Sequence, residues 1–252
     1  MIIGNKITRF PSLTSTNDYA KSVLNTLQEG TVIIADKQIA GKGRCQRNWY
    51  SPDGGLWFSI ILKPKNPSIV SLLIGVALCD VLKTFAIEPR IKWPNDILIN
   101  SKKVAGVLTE IVQDTVIVGI GLNVNVSTFP DNLDKTATSL LRETGRKFDK
   151  EKILNCIINE IEKRFTVIEE SNTQTLLNDW CRYSDTLGRY VTVHMPQCTV
   201  EGEALTINED GALLVKTADG SVQTIIAGDC TVRNIAEHIQ TQQHKEKQKI
   251  TK

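Results

Sequence analysis

Residues 92–110 read Lys92-Trp93-Pro94-Asn95-Asp96-Ile97-Leu98-Ile99-Asn100-Ser101-Lys102-Lys103-Val104-Ala105-Gly106-Val107-Leu108-Thr109-Glu110. Strand-like runs occupy 97–99 and 104–112, with a third just before them at 90–92 and a fourth at 116–120 that ends in Gly121. No helix-length segment separates these runs, so the chain lacks strict strand–helix–strand alternation. Working outward, 7–10, 31–35 and 56–62 add three more β-rich runs. Ser15 to Asp18 offers N-cap candidates before Tyr19, Ala20, Val23, Leu24 and Leu27, which share one helical face. Residues 68–85 form a helix apolar on most faces, hence a central one, and 149–168 a second with Ile153, Ile157, Ile161, Phe165 and Ile168 on one side. Runs of strands with a few long helices predict an α+β layer.

Beyond Gly188 the pattern changes. Short strands at 190–193, 205–207, 212–215 and 222–226 are separated in part by Asp210-Gly211 and Asp219-Gly220, which carry hairpin-turn chemistry. They read as a small all-β barrel. The division expected is 1–184 for a main domain, 185–235 for the β unit and 236–252 for a polar tail.

The 252 residues carry a net charge of +2, which does not mark the whole molecule as a nucleic-acid binder. Any anion it binds must be met by a local cluster of Lys and Arg. The six cysteines form no Cys-x-x-Cys pair, which fits free thiols in a reduced compartment. The N-terminus has no signal-peptide pattern, and the apolar stretch 69–79 falls short of the ~20 residues a membrane span requires, so a cytoplasmic protein is expected. Of the three histidines, His194 falls in a β-unit strand and His238 and His244 in the tail, which argues against a Ser-His-Asp hydrolase.

Three clusters carry candidate chemistry. In Gly41-Lys42-Gly43-Arg44-Cys45-Gln46-Arg47-Asn48-Trp49 the glycines let backbone approach a ligand and the cations suit phosphate or carboxylate. The same residues also read as a solvated basic turn. Neither a Walker A loop nor a dinucleotide fingerprint is present, so nucleotide would bind by another scheme. Pro94-Asn95-Asp96 is either a turn whose Asn and Asp bond their own backbone or an acid held at a sheet edge beside lysines. Gly119-Ile120-Gly121-Leu122-Asn123 reads as a bulge or close packing and lacks a Rossmann loop's third glycine.

Taken in order, these clusters resemble the biotin–protein ligase family over nearly the whole chain. Ser15-Thr16-Asn17 matches an early Ser-Thr-Asn of that family, and 41–49 looks like its Gly-Arg-Gly-Arg-Arg-Gly-Arg-x-Trp loop. Lys92 to Asp96 is identical to its Lys-Trp-Pro-Asn-Asp. Lys103-Val104-Ala105-Gly106 matches its Lys-hydrophobic-Ala-Gly, and Gly119 to Asn123 its Gly-hydrophobic-Gly-hydrophobic-Asn. Lys42, Cys45 and Gln46 depart from the better-known pattern, which has Arg, Arg and Gly there; Cys45 reads as a small neutral substitute.

The resemblance implies an α+β, mixed-sheet catalytic domain of the biotin/lipoate ligase type followed by a small SH3-like β-barrel. It implies two steps: biotin and ATP give biotinyl-5′-adenylate, which a lysine of a biotin carboxyl carrier domain of a carboxylase then consumes. Arg44, Lys103 and Asp96 would be catalytic. Biotin would be held by Ser15, Thr16, Asn17 and Gln38, by Gly41, Lys42, Gly43, Arg44 and Trp49 of the loop, and by Lys103, Gly106 and Gly119. The nucleotide would meet Lys42, Arg44, Arg47, Trp49, Lys92, Asn95, Lys103, Gly121 and Asn123, with Mg²⁺ in attendance but no direct protein ligand for it. Arg233 is a further contact candidate. Relatives that repress transcription carry an N-terminal helix-turn-helix. Here the motifs begin within twenty residues, so no DNA binding is expected, and the assembly is a monomer or homodimer. The rival readings are a lipoate or octanoate ligase or transferase and a non-catalytic biotin-binding protein.

Overall fold

The computed structural model describes residues 2–170 and 173–233. The polar tail expected from 236, with His238 and His244, lies outside the described residues. Seven strands, β1 (Ile7–Leu13), β2 (Val32–Gln38), β3 (Leu56–Leu62), β4 (Arg90–Lys92), β5 (Asp96–Ile99), β6 (Lys102–Val112) and β7 (Thr115–Leu122), form one sheet in the order β1-β2-β3-β7-β6-β5-β4. The β1–β2 pair is parallel and the other ladders are antiparallel. Every residue of β3 is buried, as a strand in the middle of a sheet covered on both faces requires.

Side-chain alternation sorts the apolar residues between the two faces. Ile33, Ile61 and Ile117 pack with Ala20 of the short helix α1 (Thr16–Ser22). Ile34, Ile60, Val116 and Val118 belong to the main core, together with α2 (Val70–Thr84), α5 (Lys150–Glu170) and α6 (Gln174–Tyr183). Residues Pro67–Thr84 are long and apolar enough to cross a membrane by composition, with a mean hydropathy of 1.6, but two-thirds of them are buried inside the fold: this is a core helix. Two short helices, α3 (Asp131–Asp134) and α4 (Leu140–Thr144), fill the connection from β7 to α5. Arg164 of α5 ties the helix layer together, bonding Asp80 of α2, Asp179 of α6 and Glu160 one turn back.

The second unit is a five-stranded antiparallel sheet: β8 (Tyr190–His194), β9 (Thr199–Ile207), β10 (Leu213–Lys216), β11 (Val222–Ile225) and β12 (Asp229–Arg233), ordered β11-β10-β9-β8-β12. Gly211 at φ +80° and Gly220 at φ +85° supply the left-handed residues of its hairpins. Trp93, fully buried, docks this unit on the first. Its indole N–H donates to Gly211 O at 3.1 Å and its backbone N–H to Thr186 Oγ1 at 2.9 Å.

Some expectations need correction. The first helix ends at Ser22 instead of continuing through Leu27, and Leu24–Thr26 form a 3₁₀ turn. Ser22 Oγ and Thr26 Oγ1 donate back to the carbonyls of Tyr19 and Val23, local bonds that compete with helix propagation. Helix α6 was not foreseen because only Leu176, Leu177 and Trp180 of its residues are buried. Strand β12 was missed, and β9 starts at Thr199 rather than 205.

Candidate active site

The face of the sheet that carries α1 becomes bare near the middle. Ser59, Gly119 and Leu108 lie in one cross-strand row of β3, β7 and β6, and Trp57, Gly121 and Gly106 in the next. Where glycine replaces a side chain, other residues descend onto the backbone. A Cβ on Gly119 would lie 2.5 Å from Asn17 Oδ1, and one on Gly121 would lie 2.5 Å from Trp49 Nε1. Trp49 also covers Gly106, where a Cβ would meet its Cζ3 at 3.1 Å. Gly119 is thus a close-packing glycine, and Asn17 takes the space a side chain would fill.

Above this floor lies a cleft of about 470 Å³, a size suited to a small organic ligand. Its lining includes five cations, Lys42, Arg44, Arg47, Lys92 and Lys103, against two carboxylates, Asp96 and Asp229. For a chain with so small a net charge, this is the local cationic cluster that an anion requires. Asp96 Oδ1 accepts from Lys103 Nζ at 2.5 Å, across the β5–β6 hairpin, and the same ammonium stands 4.9 Å from the Trp49 ring centroid. Arg44 also lines the cleft; its carbonyl accepts from Arg47 N–H at 3.1 Å, and among the described residues no hydrogen bond or ion pair engages its guanidinium.

The basic loop is a small hairpin closed by a Lys42–Asn48 bridge, with a 3₁₀ turn at Arg44–Gln46. Cys45 and Gln46 adopt positive φ, 51° and 56°. Gln46 occupies the place of the last glycine in the resembled pattern, and its positive φ accounts physically for a glycine at that place. Arg47 forks onto Asp229 at the head of β12, so the second unit reaches the loop. That hydrogen bond holds the Asp229 carboxyl below the usual carboxylate range and raises Arg47. Neighbouring Cys230 is buried, which pushes its thiol up to about 11 and keeps that part of the wall neutral. Lys42, also on the lining, pairs with Asp18 on α1 at 2.7 Å.

At the other end stands the α1 N-terminus. Ser15 caps it, accepting from Asp18 N, and Thr16 N–H donates to Gln38 Oε1 at 2.8 Å. Gln38 Nε2 donates to Ser51 Oγ at 2.8 Å, which fixes the amide's orientation. Two lining residues carry a buried polar atom without a partner among the described residues: Trp49 Nε1 and Asn123 Oδ1. Each such atom costs ~1–3 kcal/mol until something bonds it.

Nearly all the expected site residues therefore line one cleft, including Ser15, Thr16, Asn17, Gln38, Gly43, Asn95, Gly106, Gly119, Gly121 and Asn123. Gly41 does not: it is buried behind the wall, where a Cβ would strike Ser51 Oγ at 2.5 Å and Trp49 O at 2.6 Å. Asn95 spends its amide on Val107 O, a bond that staples the turn to β6. Arg233 is exposed and absent from the lining. Sequence reasoning missed Phe129, Leu133, Thr136 and Ala137, and also Gly228, Asp229 and Cys230. The first group carries no motif; backbone bonds from Lys103 N to Thr136 O and Thr138 N to Lys103 O bring it in.

A family model described as the biotin/lipoate A/B protein ligase family matches residues 9–127, and one described as the biotin protein ligase C terminal domain matches 186–233. The bifunctional ligase/repressor BirA of Bacillus subtilis is 37% identical, over 90% of this chain and 74% of that protein. The biotin–[acetyl-CoA-carboxylase] ligase of Mycobacterium tuberculosis is 33% identical, over 80% and 78%. A structure of biotin protein ligase from Aquifex aeolicus in complex with biotin and ATP superposes with a TM-score of 0.84 at 29% identity, covering 91% of this chain and 99% of that one.

Proposed function

We infer what this chain does from its belonging to the biotin protein ligase family: it is an ATP-dependent ligase that attaches biotin to protein. We further propose how its own residues divide the work. In the first step a biotin carboxylate oxygen attacks the α-phosphorus of ATP. The Pα–O–Pβ bond breaks, pyrophosphate leaves, and a carboxyl–phosphate anhydride remains. Anion meets polyanion in this step, so fixed cations must offset the repulsion. Lys103 and Arg44 do so at the reacting carboxyl and phosphate, with Lys42, Arg47 and Lys92 around them. Mg²⁺ would arrive with the nucleotide. The nucleotide's phosphates would supply ligands to it.

In the second step a lysine amine attacks the biotinyl carbonyl carbon, the C–O bond to phosphate breaks and AMP leaves. Such an amine is neutral in fewer than ~1 in 1,000 molecules at pH 7. Asp96 receives it. While Lys103 is drawn to the new phosphate, Asp96 is freed from their ion pair to orient the incoming ammonium and take its proton. The basic loop, with Trp49 at its root, closes over the anhydride and keeps water from it. The acceptor is a carboxylase's biotin carrier domain, and the setting is cytoplasmic.

The observation that carries this reading is the convergence of Arg44, Lys103 and Asp96 on one cleft. It is tested by exchange of labelled pyrophosphate into ATP, with biotin, lipoate and octanoate compared. Exchange that depends on biotin is expected. Exchange driven by lipoate or octanoate instead would reassign the acyl group, and none with any acid would refute acid activation.

A further inference from the structure

Behind the α1 wall runs a chain of side chains whose hydrogens can be placed one by one. Glu110 on β6 accepts Lys21 Nζ at 2.6 Å on one oxygen and Asn17 Nδ2 at 2.8 Å on the other. A carboxylate offers only acceptors, so the amide of Asn17 must turn its NH₂ toward Glu110 and its Oδ1 the other way. That oxygen lies 2.6 Å from Ser59 Oγ, and Ser59 is fully buried. The one Ser59 hydrogen is therefore committed to Asn17. Ser59 Oγ also lies 2.7 Å from Thr16 Oγ1. A contact that short between two oxygens requires a hydrogen, and only Thr16 has one left. The Thr16 hydroxyl therefore donates to Ser59 rather than to the more distant Gln38 Oε1 at 3.2 Å. Its lone pairs are left for whatever occupies the cleft that Thr16 lines.

We propose that Glu110 is a positioning residue that sets the direction of this chain, so that Thr16 Oγ1 meets the ligand as an acceptor for an N–H. Biotin's ureido ring carries two N–H groups, so the proposal rests on the function proposed above. Lys21, bonded to the other Glu110 oxygen, fixes the polarity at its source. Without the carboxylate only the long 3.4 Å bond to Leu108 O holds the Asn17 NH₂, so the amide can flip, its NH₂ donating to Ser59, and every hydroxyl behind it can reverse. Thr16 would then present a donor.

The test is a ratio rather than an affinity. Binding of biotin is compared with that of its two cyclic carbamate analogues, each with a ring oxygen in place of one N–H, by titration calorimetry on the intact chain. A ring oxygen facing an obligate acceptor should cost the wild type about 10- to 100-fold for one of the two analogues. In Glu110→Gln, and separately in Ser59→Ala, that ratio should fall toward unity as Thr16 becomes free to turn. A ratio unchanged in both variants, with all three ligands weakened alike, would mean the chain is merely structural and would overturn the proposal. Failure of biotin itself to bind the wild type would instead refute the function on which the proposal rests.

Discussion

Replacing Gly121 with alanine would place a methyl carbon 2.5 Å from Trp49 Nε1, 2.7 Å from Cε2 and 3.0 Å from Cζ2. Nonbonded heavy atoms settle at ~3.5 Å, so the indole must retreat by ~1 Å. It cannot bend out of the way, because it is a rigid plane that also covers Gly106. Its retreat lifts the root of the basic loop and moves the face over which Lys103 stands. Overpacking of this kind costs ~1–3 kcal/mol, and loss of the cation–π contact ~0.5–1 kcal/mol more. A reacting group misplaced by ~1 Å costs on the order of 10²-fold in rate. Gly121→Ala is thus expected to lose stability in that range in urea unfolding and to slow biotin-dependent pyrophosphate exchange about 10²-fold. Trp49→Phe removes the pyrrole edge that clashes, so in the alanine background it should restore most of the lost stability. A single variant indistinguishable from wild type, or a double-mutant cycle with no coupling, would refute the reasoning.

Four other perturbations follow from the same structure. Arg164→Met leaves Asp80, Glu160 and Asp179 with only Tyr183, Lys163 and Arg182 as partners and should cost ~1–3 kcal/mol by urea midpoint. Asp229, whose carboxyl is depressed by Arg47, contributes stability above its unfolded value near ~3.9 and loses it as pH falls through the lowered value. The pair is more than a third exposed, so Asp229→Asn should cost at most ~1 kcal/mol at neutral pH, with the difference vanishing in ~1 M salt or strong acid. Asp96→Ala should damage acceptor transfer more than adenylate formation in single-turnover assays; equal damage would remove its role with the incoming amine. Arg44→Gly should release the adenylate into solution, detected by filtration of a loaded enzyme, whereas unchanged retention would argue against a closing loop.

Much of this was legible before any coordinates. The strand 56–62 was readable as a nearly unbroken apolar run, and the long helices because apolar period and length agreed. Asp96 and Lys103 were recognisable from their motifs, and the hairpin then set them 2.5 Å apart. What stayed hidden was non-local. Thr136 and Ala137 reach the cleft only through backbone bonds to Lys103, and Asp229 only because Trp93 docks the second unit. Gly119 and Gly121 read as a bulge or close packing, and which side chains pack there was hidden: nothing local says that Asn17 and Trp49 descend onto them. The end of α1 was misjudged for a different reason: apolar spacing continued past Ser22, while the Ser22 and Thr26 hydroxyls share the carbonyls of Tyr19 and Val23 and Thr26 N–H tightens to Val23 O.

The central claim is that one cleft both makes and spends an acyl–AMP anhydride. Its most direct measurement loads the enzyme with biotin and labelled ATP, removes free nucleotide, and adds a carrier domain. The account predicts pyrophosphate released during loading, then one AMP released for each carrier lysine biotinylated, as counted by intact-protein mass spectrometry. ADP and phosphate as products, or biotinylation without a nucleotide-bearing intermediate on the enzyme, would contradict it.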